Sequence, residues 1–350
     1  LLYNLAELQN DCSKMFKISP DETLKVVQEL YEKKLVTYPR TDARVLSTAV
    51  AKEIYKNIRG LGNFQPAAAF AAEILEKESC KGIAKTRYVN DKQITDHYAI
   101  IPTGQGMGNL RGLSPLSEKV YQVVCRRFLS IFYPAAIYQK YSLVLERKKE
   151  QFFASFKVLS EPGYLKVADV NLAKKSSIQE TFSDEKEGNS AQTDEKNAEI
   201  PKVDRTLLLQ VLADLKKNAI LTIADLKVKE GETSPPKRYT SGSMILAMEN
   251  AGQLIEDEEL RAQIKGSGIG TSATRAEILK KLVNIQYLML NAKTQVITPT
   301  LLGELIFEVV NASIRQLLNP DLTASWEKGL TYVAEGSITS DEYMTKLENF

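Results

Sequence analysis

Leu35-Val36-Thr37-Tyr38-Pro39-Arg40-Thr41-Asp42 is the stretch from which the organisation of the whole chain follows. Proline fixes its own backbone and disfavours helix for the residue before it. A helix running into this stretch must therefore stop near Thr37, which leaves Tyr38 in a turn at the helix exit. A phenol can act as a covalent nucleophile, but with a reference pKa of ~10 only about one in a thousand is ionised at neutral pH. A guanidinium nearby favours the phenolate and grips a phosphate through two parallel hydrogen bonds. Arg40 suits both tasks. Residue types alone also admit a plainer reading, a buried tyrosine in a turn beside a surface arginine.

Upstream, Ser19-Pro20-Asp21-Glu22 predicts a helix start, with Ser19 as N-cap, Pro20 in the first turn and Glu22 at the capping-box position. Leu24, Val27, Tyr31 and Leu35 then recur at helical spacing. Ser47, followed by Val50, Ile54 and Ile58, predicts a second helix, and Ser117 to Phe132 a third, ended by Pro134. Residues 136–170 change period: Tyr138, Tyr141, Leu143, Leu145, Phe152, Phe153, Phe156 and Val158 favour strands. Lys148-Lys149-Glu150-Gln151 predicts the turn between two of them, and Gly163 a bend. Residues 173–200 have almost no large apolar side chains and read as a mobile acidic loop. Thr222 to Val228 looks strand-like, and Pro235-Pro236 marks a boundary. Residues 240–350 return to helices, broken at Gly266 to Thr271 and by a short strand near Gln295 to Thr298. The predicted fold is mainly α with a β-rich middle, in several domains: 1–135 helical, 136–236 β-rich, 237–350 helical.

Composition narrows the function classes. With 43% hydrophobic and 26% charged residues, the 350-residue chain is an ordinary globular one with a sizeable core. No stretch approaches the roughly 20 apolar residues of a membrane span, and the first residues do not resemble a signal peptide. Cys12, Cys80 and Cys125 are far apart, no CxxC is present, and His97 is the sole histidine. A zinc site is therefore not expected, no metal ligands are assigned, and reduced thiols in a cytosolic protein are. The net charge of +2 conceals an acidic stretch, 176–199, with seven acids and two lysines, set in a basic remainder. That balance permits a polyanionic partner without demanding one.

Three further stretches stand out. Val89 to Thr103 contains Asp96-His97-Tyr98-Ala99-Ile100-Ile101-Pro102-Thr103. Glu232 to Glu249 contains Pro235-Pro236-Lys237-Arg238-Tyr239-Thr240 and then Met244 to Glu249. Gly268-Ile269-Gly270-Thr271-Ser272-Ala273-Thr274-Arg275 is a glycine-rich turn running into a predicted helix. Small residues there admit a phosphate backbone, helix N–H groups face it, Thr271, Ser272 and Thr274 add hydroxyls, and Arg275 adds charge.

In this order, the four stretches resemble the signatures of the type IA DNA topoisomerases, particularly the bacterial topoisomerase III branch. Residues 35–42 match the active-site signature, 96–103 the DHxAIIPT element, 232–249 the TxPPxRYT…AME element and 268–278 the GIGTPATRA element. Leu5 to Gln9 and Thr23 to Glu32 look like the helices that precede the family's tyrosine, and Trp326 fits a late TxxWE element read as core packing. The chain departs from the pattern at Tyr98, where a second histidine is common, and at Ser241-Gly242, where Glu-Ala is usual.

The resemblance implies winged-helix-like helical domains joined by part of a β arch, with Tyr38 on the first. It implies that Tyr38, Arg40 and His97 form a catalytic set that makes a transient 5′-phosphotyrosine link to single-stranded DNA without ATP. Thr41, Asp42, Lys237, Arg238, Gly268, Gly270, Thr271, Ser272, Thr274 and Arg275 are expected on the DNA. The family also has an N-terminal Toprim domain holding Mg²⁺ on an acidic cluster. Nothing here replaces it, so that domain is an expected partner and the chain alone is not expected to run a full cycle. A cytoplasmic, nucleoid-associated location follows. A non-catalytic winged-helix-like nucleic-acid-binding module is the rival class, and it would not need the Tyr38–Arg40–His97 set. A tyrosine recombinase is disfavoured by the single histidine.

Overall fold

A computed structural model describes residues 1–168, 215, 219–223, 225–228, 230–251 and 268–349. The first 135 residues are helical. Helix α1 (Leu5–Phe16) is capped by Asn4, whose side-chain oxygen accepts from the Glu7 N–H at 2.9 Å. Helix α2 (Pro20–Glu32) starts where the sequence dictates: Ser19 Oγ accepts from the Glu22 N–H at 3.1 Å, and Pro20 occupies the first turn, where it has no bond to lose. Such a cap contributes ~1 kcal/mol. Ser47 caps α3 (Thr48–Gly60) and Ser114 caps α5 (Pro115–Ser130), with α4 (Gln65–Glu76) between them. Their apolar stripes close on one core, in which Leu2, Leu8, Val27, Leu30, Ile58, Tyr121 and Phe128 are fully buried. Each such side chain contributes roughly 1.5–3 kcal/mol, so this core holds the segment together.

Helix α2 ends earlier than its stripe suggests. It stops at Glu32 rather than near Thr37. Lys34 takes a left-handed φ of 61°, and the Lys34 and Leu35 N–H groups bond back to the Tyr31 and Leu30 carbonyls. Leu35 lies at helical spacing from Tyr31, yet it is buried beyond the helix end, in extended chain. Tyr38 therefore hangs on an extended segment and not on a helix exit.

Strands β1 (Ile137–Arg147) and β2 (Glu150–Glu161) form the expected two-stranded sheet, turning at Lys148 with φ of 57°. A single helical turn, α6 (Leu165–Ala168), follows. No strand forms at the described residues of 222–228, where Leu226 and Val228 are exposed. An apolar alternation with no neighbouring strand has no ladder to join. The acidic stretch 173–200 lies outside the described residues.

Towards the C-terminus, a capping box between Thr240 and Ser243 starts α7 (Ser241–Glu249). Helix α8 (Arg275–Asn284) leads into β3 (Leu288–Leu290), which pairs antiparallel with β4 (Ile297–Pro299), the short strand expected there. Helices α9 (Leu301–Ser313), α10 (Pro320–Ala334) and α11 (Ser340–Glu348) complete the chain. Trp326 is half-buried in α10, and its carbonyl accepts from the Tyr343 hydroxyl of α11 at 3.4 Å. Ala6 of α1 joins Ile245, Met248, Leu279 and Ile297 in a second, smaller core.

Helices α1 and α7 approach very closely. A Cβ on Gly242 would lie 2.7 Å from Asn10 Cα and 2.9 Å from Ser13 Cβ. The contact is polar as well as tight: Ser13 and Ser241 hydroxyls are 3.2 Å apart, Ser241 Oγ donates to Gln295 Oε1 at 2.8 Å, and Gln295 Nε2 donates to the Lys17 carbonyl at 3.1 Å. The departure from the family's Glu-Ala at this point thus has a structural use, since a side chain at 242 has no room.

The chain divides into two compact units. One is Leu1–Tyr141, Phe156–Glu180 and Arg238–Phe350; the other is Ser142–Ser155 and Thr181–Lys237. The first contains every residue of the site described next apart from Lys237, which lies in the second.

Candidate active site

The extended segment carrying Tyr38 is stitched to residues 97–103. Val36 and Pro102 form an antiparallel bridge, as do Tyr3 and Ile100. The Thr37 N–H donates to the Ile101 carbonyl at 3.0 Å, while its hydroxyl donates to the Ala99 carbonyl and accepts from the Ile101 N–H, each at 3.0 Å. The Thr103 N–H donates to the Leu35 carbonyl at 3.0 Å, and the Thr41 hydroxyl donates to the His97 carbonyl at 2.8 Å. Each bond contributes roughly 1 kcal/mol net; together they fix the register of one segment on the other. The consequence is local. The Tyr38 and His97 ring centroids are 4.4 Å apart with planes tilted by 43°. The Tyr31 ring, from the last turn of α2, meets Tyr38 edge to face at 5.5 Å and 82°. Beside them opens a cavity of about 520 Å³ walled by Tyr31, Lys34, Tyr38, His97, Tyr98 and Gln105, among others. Tyr38 is half-buried and His97 exposed.

Arg40 is also exposed and makes no hydrogen bond or ion pair among the described residues; its side chain is not part of the cavity wall. Tyr38 and His97 are thus brought together, while Arg40, two residues further along the chain, is exposed and outside the cavity wall. Thr41 is buried and committed to holding His97.

Arg275, expected from the sequence to offer its charge to DNA, is instead 2% exposed. Its guanidinium reaches Asp42 Oδ1 at 3.1 Å and donates to the carbonyls of Ile269 and Gly270, both at 3.1 Å. It therefore shapes the glycine loop and ties it to the segment carrying Tyr38. In the same loop Gly268 has φ of 54°, and a Cβ there would lie 2.5 Å from the Met248 and Glu249 carbonyls. Gly270 is also left-handed, at 67°. Thr274 Oγ1 accepts from the Thr271 N–H at 2.9 Å, so that hydroxyl braces the turn. Thr271 is exposed and Ser272 half-buried. Lys237 and Arg238 are exposed. Asp42→Asn is expected to lower unfolding free energy by about 2 kcal/mol, because it removes the carboxylate that the buried Arg275 guanidinium meets at 3.1 Å. Urea unfolding monitored by circular dichroism measures it.

Three further side chains belong to this region, Asn4, Tyr31 and Glu249, the last of them the closing residue of the 232–249 motif. Asn4 Nδ2 donates to Glu249 Oε1 at 2.6 Å and to the Asp42 carbonyl at 3.2 Å. Burial raises the Glu249 carboxyl pKa above its ordinary value; the Asp42 charge adds to this, and Arg275 and the Asn4 bond oppose it. A carboxyl with a raised folded pKa favours folding most when protonated, and that contribution is lost as pH rises through the folded pKa. The stability of the chain relative to Glu249→Gln should therefore fall as pH rises through and above the ordinary carboxylate range. Thermal melts of the pair across that window test this. Asn4 lies in none of the motifs, and Tyr31 appears only in a helical stripe; contact between distant segments gives them their roles.

A family model described as DNA topoisomerase matches residues 1–345. The chain belongs to the type IA DNA topoisomerase family. It is similar to DNA topoisomerase 3 of Bacillus licheniformis, 33% identical over 354 residues, which covers all of this chain and 43% of that protein. DNA topoisomerase 3 of Bacillus subtilis is likewise 33% identical over 355 residues, covering 44% of its length. The chain thus spans less than half of these topoisomerases. Full-length topoisomerase I from Thermotoga maritima shares the fold, with a TM-score of 0.57 at 20% identity over 99% of this chain and 48% of that one. This topoisomerase chain is helix-rich with two small sheets among its described residues. Among them, no helix is long and apolar enough to cross a membrane.

Proposed function

We propose that the chain is the cleaving part of a bacterial topoisomerase that changes DNA topology by way of a tyrosine ester. The Tyr38 oxygen attacks a phosphodiester of single-stranded DNA. An Oη–P bond forms, the P–O3′ bond breaks, the phenol proton departs and the 3′ oxygen takes one up. The products are a 5′-phosphotyrosine and a free 3′-hydroxyl, which reverses the reaction after another strand has passed. The ester keeps the phosphodiester energy, so no ATP is needed. The observation that carries this reading is the 4.4 Å contact of the Tyr38 and His97 rings beside an open cavity. In a single-stranded complex, His97 and the unpaired Arg40 would face the phosphate and stabilise charge as it develops. Arg238 and the loop from Gly268 to Thr274 would hold the backbone nearby, with Arg275 and Asp42 setting the loop. The helical parts would act as winged-helix-like bodies.

The family's Mg²⁺ does not fit the residues described here: among them no group of three or more His, Cys, Asp or Glu side chains is placed to hold a metal. No step is therefore assigned to the ion in this chain. A separate acidic Toprim domain is the proposed partner, with action on DNA in the bacterial cytoplasm. Mixing the chain with that domain, Mg²⁺ and a labelled single strand should give a covalent adduct on a denaturing gel. Binding without adduct under every condition would favour a non-catalytic nucleic-acid-binding module. His97→Ala should slow adduct formation by roughly 100-fold with an unchanged melting temperature, since the ring is exposed.

A further inference from the structure

We propose that the cavity beside Tyr31 and Tyr38 is a stacking subsite for the nucleobase that stays attached to the tyrosine after cleavage. The proposal rests on Tyr38 being the nucleophile and adds what the adjoining space is for. The walls are aromatic, formed by Tyr31, Tyr38, His97 and Tyr98, and such rings stack bases with little regard to sequence. A volume of about 520 Å³ is more than a shallow dent and lies within the range that admits a small organic ligand. The polar rim suits a base edge: Lys34 and Gln105 bring donors, the Gln105 amide brings an acceptor too, and Gln105 is pinned by its N–H to Thr103 Oγ1 at 3.0 Å. Glu32 also lines the cavity. Its carboxylate repels a phosphate and accepts from an exocyclic amine, so the cavity suits the base and not the phosphate.

Every wall comes from two stretches, 31–38 and 97–105, that are hydrogen-bonded to each other and carry the nucleophile themselves. Any displacement of the Tyr38 body carries the subsite with it. The nucleotide bonded to Tyr38 is the one nucleotide that must travel the same way, and a stacking site on that body keeps it ordered until the strand is resealed. Tyr31 stands 39% exposed at the cavity mouth. A tyrosine left that open at a helix end gains little for the core and is available to a ligand.

The test is binding of short 5′-phosphorylated single strands of about eight nucleotides, labelled at the far end, with the first nucleotide either intact or abasic. Fluorescence anisotropy at low salt should show the chain preferring the intact strand by about tenfold. Tyr31→Ala should reduce that ratio to near one, and Tyr31→Phe, which keeps the ring, should preserve it. Equal binding of both strands by the unaltered chain, or a ratio that survives Tyr31→Ala, overturns the subsite. A preference for the intact strand that appears only when the strands are 3′-phosphorylated and differ at the last nucleotide likewise overturns the assignment to the nucleotide linked to Tyr38 through its 5′-phosphate. A Tyr38→Phe chain that still becomes linked to DNA removes the nucleophile reading, whatever the Tyr31 ratio.

Discussion

Tyr38→Phe is expected to abolish covalent capture of single-stranded DNA, by at least about a thousandfold, while changing unfolding free energy by less than about 0.5 kcal/mol. The substitution removes one oxygen and keeps the ring. The contacts that seat the ring, edge to face with Tyr31 and tilted against His97, are therefore retained. The hydroxyl makes no hydrogen bond among the described residues, so its loss leaves no buried partner stranded. Activity and stability are thereby separated at one atom. The measurement is the fraction of labelled oligonucleotide retained on protein after denaturation, in the presence of the acidic domain and Mg²⁺, alongside a melting curve. Adduct at the level of the unaltered protein would remove Tyr38 from the chemistry, and a large drop in melting temperature would mean that the phenol is structural.

Gly242→Ala carries the second large effect. At an open helix position this change gains up to ~1 kcal/mol, because alanine has the better helix propensity. Here the sign is expected to reverse, with a loss of about 2–3 kcal/mol. The added carbon would sit 2.7 Å from the Asn10 Cα, a backbone atom that cannot swing aside. Relief requires α1 and α7 to part, and that loosens the Ser13, Ser241 and Gln295 bonds at their contact. Larger residues at 242 should be only moderately worse, since the first carbon already makes the clash. Urea denaturation of the glycine, alanine and valine forms measures this, and an alanine form as stable as the parent would show that the approach of the two helices is looser than described.

How far these features can be read from the chain alone depends on the range of the interaction. Capping is local, so Ser19 with Pro20, Ser47 and the Lys148 turn are all legible, and so is the switch to strand formers after Pro134. Proline at 39 correctly signals constrained backbone at Tyr38. It cannot show that α2 stops at Glu32, because Leu35 keeps the helical spacing and only its pairing partner, sixty-odd residues away, draws it into extended chain. The strand expected over Thr222–Val228 fails for the same reason: its pattern says nothing about whether a partner exists. At the site, Tyr38 and His97 stand out through their motifs, and the structure brings their rings to 4.4 Å. The burial of Arg275 is not legible, since an arginine after a glycine loop looks the same whether it faces a ligand or, as here, an aspartate and two carbonyls. Glu249 closes the 232–249 motif and Tyr31 sits in a helical stripe, but neither pattern shows their neighbours, which they acquire only when distant segments meet.

The pairing of 35–41 with 97–103 makes the two segments unequal to the chain between them in their tolerance of length change. Alternate residues of an extended segment point to opposite sides, so deleting one residue from 98–102 would turn the ladder over and swing the imidazole away from the phenol. The largely exposed turn at residues 77–82, beyond helix α4, can absorb added residues as long as its ends still meet, because the entropic penalty of a longer connection rises only slowly. Transplanting this chemistry to another scaffold therefore means moving a rung and its opposite together with the core that seats them, and not a single contiguous peptide.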